Sequence, residues 1–91
     1  MSVRVRIPTP MRQATDGVAE VSLDVVTVGA AIDDLETRYP GMRGRLRDDA
    51  GVMRRFVNLY VNGEDVRFRE GLDTGLKAGD ELSIVPAVAG G

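Results

Sequence analysis

The sequence predicts an α+β fold, in which a mixed sheet of four to five strands carries one main helix on a single face and continues into an extended C-terminal tail. Three observations predict it. Apolar and polar residues alternate near the start, in the middle and near the end of the chain, as in Val3-Arg4-Val5-Arg6-Ile7 and Glu81-Leu82-Ser83-Ile84-Val85, which is the period of a strand with one buried and one wet face. One stretch, Val28 to Tyr39, repeats its apolar residues at helical spacing instead. Asn62-Gly63 is the dipeptide favoured in two-residue hairpin turns, whose central positions both need positive φ. A hairpin, a helix and then further strands is the order of a sheet covered on one side only. A last strand running beside the first would close that sheet.

Val3, Val5 and Ile7 give the first strand its inward face, and Pro8 and Pro10 end it, because proline has no N–H for a ladder. Thr15-Asp16-Gly17 has turn chemistry. Val21, Leu23 and Val25 then alternate with Ser22 and Asp24 as a second strand, joined to the first by a connection longer than a tight turn. Thr27 stands where a hydroxyl N-cap would begin a helix. Val28, Ala31, Ile32, Leu35 and Tyr39 share one face of that helix, and Asp33, Asp34, Glu36, Thr37 and Arg38 fill the other. Pro40-Gly41 stops it.

Met42 to Arg55 reads as a polar connection anchored by Leu46 and Met53. Phe56 to Val61 is the clearest strand, with Val57, Leu59 and Val61 facing the helix and Phe56, Asn58 and Tyr60 facing away. After the Asn62-Gly63 turn and Glu64-Asp65, Val66 and Phe68 resume a short strand. Leu72 and Leu76 anchor a short turn, and Ala78-Gly79-Asp80 leads into the last strand, from which Leu82 and Ile84 point inward. Alternation turns Val85 outward, so Phe56, Tyr60 and Val85 are candidates for a partner-docking patch.

Two charge clusters could be given sharper readings. Asp33, Asp34 and Glu36 could be an acid pair or a cation site, and Arg43, Arg45, Arg47, Arg54 and Arg55 a phosphate or RNA site. The acids sit on a helix face where solvated charges are the commoner arrangement. The arginines lack interleaved aromatic residues, so a solvated loop is expected.

A chain of 91 residues makes a single domain, residues 1–91, with residues 86–91 as its extended, flexible tail. With 43% hydrophobic and 29% charged residues it has the composition of a globular protein. A net charge of −2 offers no general attraction to nucleic acid or anionic membrane, so neither is an expected partner. Cysteine and histidine are absent, which excludes disulfides, zinc and iron–sulfur sites of the usual ligands, and any Cys or His nucleophile acting within this chain. No convergent catalytic set remains, and an independent enzyme is not expected. The N-terminus lacks the apolar core of a signal peptide and no apolar run approaches a membrane span. A cytoplasmic protein is expected.

The last six residues, Pro86-Ala87-Val88-Ala89-Gly90-Gly91, suggest where chemistry occurs. A C-terminal carboxylate is a weak electrophile, but joined to AMP it becomes a mixed anhydride with a good leaving group. Glycine lacks a Cβ, so it can thread a narrow channel and leave the carbonyl open to attack from either face. Six extended residues reach at most about 20 Å, far enough to enter a partner's active site while the body docks outside.

The order of elements, together with Val61-Asn62-Gly63-Glu64-Asp65-Val66, Ala78-Gly79-Asp80-Glu81-Leu82 and the Gly-Gly ending, resembles the ThiS/MoaD family of ubiquitin-like β-grasp sulfur carriers over essentially the whole chain. Arg55-Phe56-Val57-Asn58, Tyr60-Val61-Asn62, Glu64-Asp65-Val66-Arg67-Phe68 and Pro86 to Gly91 are most similar to the members that serve cysteine biosynthesis. The resemblance implies that an E1-like enzyme uses ATP to adenylate Gly91 and that a sulfur donor converts the adenylate to a thiocarboxylate. A PLP-dependent cysteine synthase would take the sulfur, and a metal-dependent peptidase would release the product. ATP, PLP and metal belong to these partners, and the carrier itself binds no cofactor. On this reading Gly91 carries the reacting carboxyl, Gly90 supplies clearance, and Ala87, Val88 and Ala89 line the partner's channel. The acceptor could instead be the large subunit of molybdopterin synthase or a thiazole synthase, because only docking distinguishes them. A ubiquitin-like modifier forming isopeptide bonds, or a bare interaction module, are the other open readings.

Overall fold

The computed structural model of the chain describes residues 2–86. Its strands are β1 (Val3–Arg6), β2 (Glu20–Leu23), β3 (Val57–Val61), β4 (Glu64–Asp65) and β5 (Glu81–Pro86), and α1 spans Val28–Arg38. They form one five-stranded sheet in the order β2-β1-β5-β3-β4. β1 and β5 run parallel, with Val5 opposite Leu82, and every other pairing is antiparallel. The predicted closure of the sheet by its last strand beside its first is therefore present.

α1 forms as its spacing predicts. The Thr27 hydroxyl accepts the Ala30 N–H at 3.1 Å, satisfying one of the N–H groups orphaned at the helix start. Val28, Ala31, Ile32 and Leu35 are buried against the inward rows of the sheet, which are Val3 and Val5, Val21 and Leu23, Val57, Leu59 and Val61, and Leu82 and Ile84. These residues form one continuous core. Removing so many aliphatic side chains from water is the main force holding helix to sheet, at about 25 cal/mol per Å².

The hairpin turn also follows its sequence. Asn62 and Gly63 have φ of 51° and 86°, the left-handed pair that a two-residue turn needs. Asn62 does more than turn. Its amide donates to the Asp80 carboxylate at 2.9 Å and its side-chain oxygen accepts from the Glu81 N–H at 2.9 Å, so the tip of the β3–β4 hairpin is tied to the start of β5.

Several local expectations are corrected. Val66 and Phe68 do not continue β4. The Asp65 carboxylate accepts the Arg67 N–H at 2.9 Å and caps a 3₁₀ turn over Val66–Phe68, leaving Val66 buried and Phe68 83% exposed. β2 ends at Leu23 rather than reaching Val25. β3 begins at Val57, because the Val57 N–H is drawn to the Arg54 carbonyl at 3.1 Å and Phe56 lies in that turn. The connection 42–55 has another anchor besides Leu46 and Met53, since Met42 is fully buried from the 3₁₀ turn Pro40–Met42. Arg47 is not solvated. It is 19% exposed and pairs with Glu36 and, at 2.8 Å, with Asp33, so part of each charge cluster serves to clamp the loop onto α1.

Candidate functional site

β5 delivers the end of the chain. Its ladder with β3 runs from Val61 opposite Leu82 to Val57 opposite Pro86, so the strand extends one residue further than a stop at Pro86 would give. The register explains why proline is tolerated. Asn62 donates to Glu81 across this ladder at 2.9 Å; alternation then directs the backbone groups of Ser83 and Val85 to β3 and those of Pro86 to the β1 side. β1 has already ended there, its last pair being Arg6 with Ser83, so no ladder bond is lost at Pro86. The residues assigned to the partner's channel and to the chemistry, Ala87, Val88, Ala89, Gly90 and Gly91, lie outside the described residues.

The sheet face opposite α1 is open and takes its character from the outward row of each strand. Arg6, Ser83, Tyr60 and Asp65 line up across β1, β5, β3 and β4. Val85 faces Asn58 across the ladder, which makes it the diagonal neighbour of Tyr60, about 7 Å away. Tyr60 is half-buried and Val85 is 42% exposed. Phe56 is 48% exposed but projects from the turn before β3. Two of the three candidate docking residues thus share one patch on the ladder, and the third stands at its border.

Charge frames this patch on both sides. On β1, Arg4 and Arg6 approach Glu81 at 3.6 and 3.8 Å. At β4, Asp65 accepts from Arg67 of the following 3₁₀ turn at 2.7 Å. The Arg67 guanidinium, joined by Arg67's own backbone N–H, holds the Asp65 carboxyl below the usual carboxylate range, and Asp65 in turn raises the Arg67 guanidinium. Asp80, at the entry to β5, is also held low, first by the Lys77 backbone N–H at 2.8 Å and then by the Asn62 amide. Sequence reasoning missed these contacts. The Asp-x-Arg spacing of Asp65 and Arg67 was the available signal for the first, whereas Asn62 and Asp80 are joined only by the fold.

Among the described residues no group of three or more Asp, Glu, Cys or His side chains is placed to hold a metal ion, and no helix is long and apolar enough to cross a membrane. Of Asp33, Asp34 and Glu36, offered by the sequence as an acid pair or a cation site, Asp33 and Glu36 are bridged by Arg47 and Asp34 pairs with Arg38 at 3.3 Å.

A five-stranded mixed sheet closed by parallel first and last strands, grasping one helix, defines a ubiquitin-like β-grasp protein. The chain belongs to the ThiS family of ubiquitin-like sulfur carriers, whose sequence model matches residues 5–91. It is 52% identical over 93 aligned residues to the sulfur carrier protein CysO of Mycobacterium tuberculosis, covering 100% of both chains. A chain in the crystal structure of the Amycolatopsis orientalis BexX/CysO complex superposes with a TM-score of 0.90 at 48% identity, over 98% of this chain and 99% of that one. SAMP1 of Haloferax volcanii superposes with a TM-score of 0.86 at 31% identity, over 100% of both chains. These relatives are named as sulfur carriers and small modifiers, not as enzymes.

Proposed function

We propose that this protein is a cytoplasmic sulfur carrier whose Gly91 is thiocarboxylated to supply sulfur for cysteine biosynthesis. The observation that carries the reading is the ending Ala87-Val88-Ala89-Gly90-Gly91 on a body 52% identical throughout to a CysO. An E1-like partner would join the Gly91 carboxylate to AMP, with pyrophosphate leaving from ATP. A sulfur donor would then displace AMP, leaving sulfur in place of one carboxyl oxygen. The resulting thiocarboxylate is a soft, ionised nucleophile, and it would attack an acceptor that a PLP-dependent cysteine synthase makes from an activated serine. The new amine would take the acyl group from sulfur, and a metal-dependent peptidase would hydrolyse the amide to give cysteine and restore Gly91. PLP supplies the acceptor's electrophilicity when bound to the partner.

The chain's own contribution is presentation. Gly90 leaves the channel clear, Ala87, Val88 and Ala89 line it, and Tyr60 and Val85, with Phe56 at their border, dock the body. The BexX/CysO complex supports the idea that bodies of this kind dock on partner proteins. The modifier reading keeps a specific support in the small archaeal modifier protein 3 of Haloferax volcanii, 43% identical over 68 residues.

Intact-protein mass spectrometry tests the proposal, on material from the native host and after incubation with ATP, a sulfur donor and the host's E1-like enzyme. The expected result is a gain equal to exchange of one oxygen for sulfur, absent from a Gly91 deletion, and a cysteine-sized adduct when the synthase is added. Isolation of conjugates to lysines of other proteins, without thiocarboxylate, would replace this reading with the modifier.

A further inference from the structure

β4 covers only the end of β3. Tyr60 lies opposite Asp65 and Val61 opposite Glu64, and among the described residues no strand stands beside Val57, Asn58 and Leu59 on that side. The alternation that directs Asn58 and Tyr60 to β5 directs the Val57 carbonyl and the Leu59 N–H to this open edge, while the Val57 N–H is taken by the Arg54 carbonyl at 3.1 Å. The Arg67 N–H captured by Asp65 bends the chain away at Val66–Phe68. A groove of about 460 Å³ remains along the edge.

Its floor is apolar, made by Val57, Leu59, Val66 and Leu72, and Arg54, Arg55 and Arg67 stand around it. Arg67 is neutralised by Asp65. The Arg54 side chain donates to the Gly44 carbonyl at 2.8 Å, and neither Arg54 nor Arg55 has an ion-pair partner among the described residues. Their charge gives the apolar floor a positive border, although the chain as a whole has a net charge of −2.

We propose that this groove docks an extended acidic segment of a protein partner as an added strand on the Val57–Leu59 edge, with its carboxylates at Arg54 and Arg55. The open edge supplies main-chain pairing, the floor takes an alternate apolar side chain, and the unpaired arginines select for acid. The chain's own end fits less well, since residues 87–91 have no acidic side chain and offer the Gly91 carboxylate alone to two arginines. Position gives the groove its use. Val57 faces Pro86, so a strand added to β3 lies about 10 Å from the point where β5 ends. A partner held there is near Pro86, the described residue that precedes the tail, whether the protein acts as a carrier or as a modifier.

The probe is an acetylated and amidated hexapeptide, Glu-Asp-Val-Glu-Leu-Asp, titrated to millimolar concentration into the isotope-labelled full chain and followed by amide shifts. The expected result is perturbation confined to residues 53–59 and 66–72, with slowed exchange of the Leu59 amide. Arg55→Glu alone and Arg54→Glu with Arg55→Glu, each shown folded by its spectrum, should bind about threefold and about tenfold more weakly. N-methylation of alternate peptide residues should abolish binding at unchanged charge. Absence of groove shifts, or equal binding of the N-methylated peptide, overturns the proposal. Groove shifts that depend on protein concentration alone identify a second copy as the occupant, and groove shifts produced by deleting residues 87–91 identify the tail; either overturns it.

Discussion

Pro86 stands opposite Val57 on the last rung of the β3–β5 ladder, with its N–H-less side turned toward the position that β1 has vacated. Among the described residues, every member of the core precedes Pro86 in the chain. Gly90→Val should change unfolding free energy by no more than about 0.5 kcal/mol, yet block thiocarboxylation by filling the channel. Denaturant unfolding and thiocarboxylate yield measured on the same sample check both halves, and a normal yield removes the steric argument.

Val85 and Tyr60, diagonal neighbours on the open face, make a different prediction because they belong to the body. Tyr60→Ala and Val85→Glu should leave the helix–sheet core intact and weaken docking to the activating enzyme by about 1–2 kcal/mol each, mostly in dissociation rate. The effect should appear in KM rather than kcat for adenylation, since both residues belong to the docking patch and neither carries the reacting group.

Arg47 is held by Glu36 and Asp33 and is mostly withdrawn from water. Arg47→Ala leaves the half-buried Glu36 without its cation and frees the connection from α1, at a cost of about 2 kcal/mol. Arg43→Ala removes an exposed cation of the same cluster that makes no ion pair among the described residues and should change stability by less than about 0.5 kcal/mol. Urea unfolding of the two variants provides the comparison.

Thr27→Ala removes the hydroxyl that accepts the Ala30 N–H. The expected loss is about 1 kcal/mol, and Thr27→Ser should restore most of it. Thermal unfolding of the pair distinguishes the cap from loss of the threonine methyl.

Asp65 and Asp80 both have folded-state values below the ordinary carboxylate range, through Arg67 and through Lys77 and Asn62 respectively. The unfolded chain thus binds protons at higher pH than the folded one. The stability these groups add is complete above about pH 5 and is lost as pH falls below about 4 through their folded values. Asp65→Asn and Asp80→Asn should flatten the acid limb of a stability–pH curve while lowering its neutral plateau, as read by denaturant unfolding from pH 2 to 7.

Local pattern was enough for everything governed by neighbours in the chain. The period of Val28 to Leu35, the Thr27 cap, the Asn62-Gly63 turn and the inward rows of β1, β3 and β5 are set by spacing and by φ preferences, and each appears where the sequence placed it. The Gly-Gly ending and the element order were sufficient to identify the family. The end of β4 was less legible, because a strand-like pair, Val66 and Phe68, lost to a side-chain cap from Asp65, and alternation alone cannot rank those two interactions. What only the tertiary structure decided is what residues distant in sequence do together: Arg47 on Asp33 and Glu36, Asn62 on Asp80, Val85 beside Tyr60, and the open edge of β3 under Arg54 and Arg55. Val85 beside Tyr60 depends on strand register, and a one-residue slip would turn either to the other face; the open edge depends on how far β4 extends, and the other contacts on how loop, helix and turns pack together.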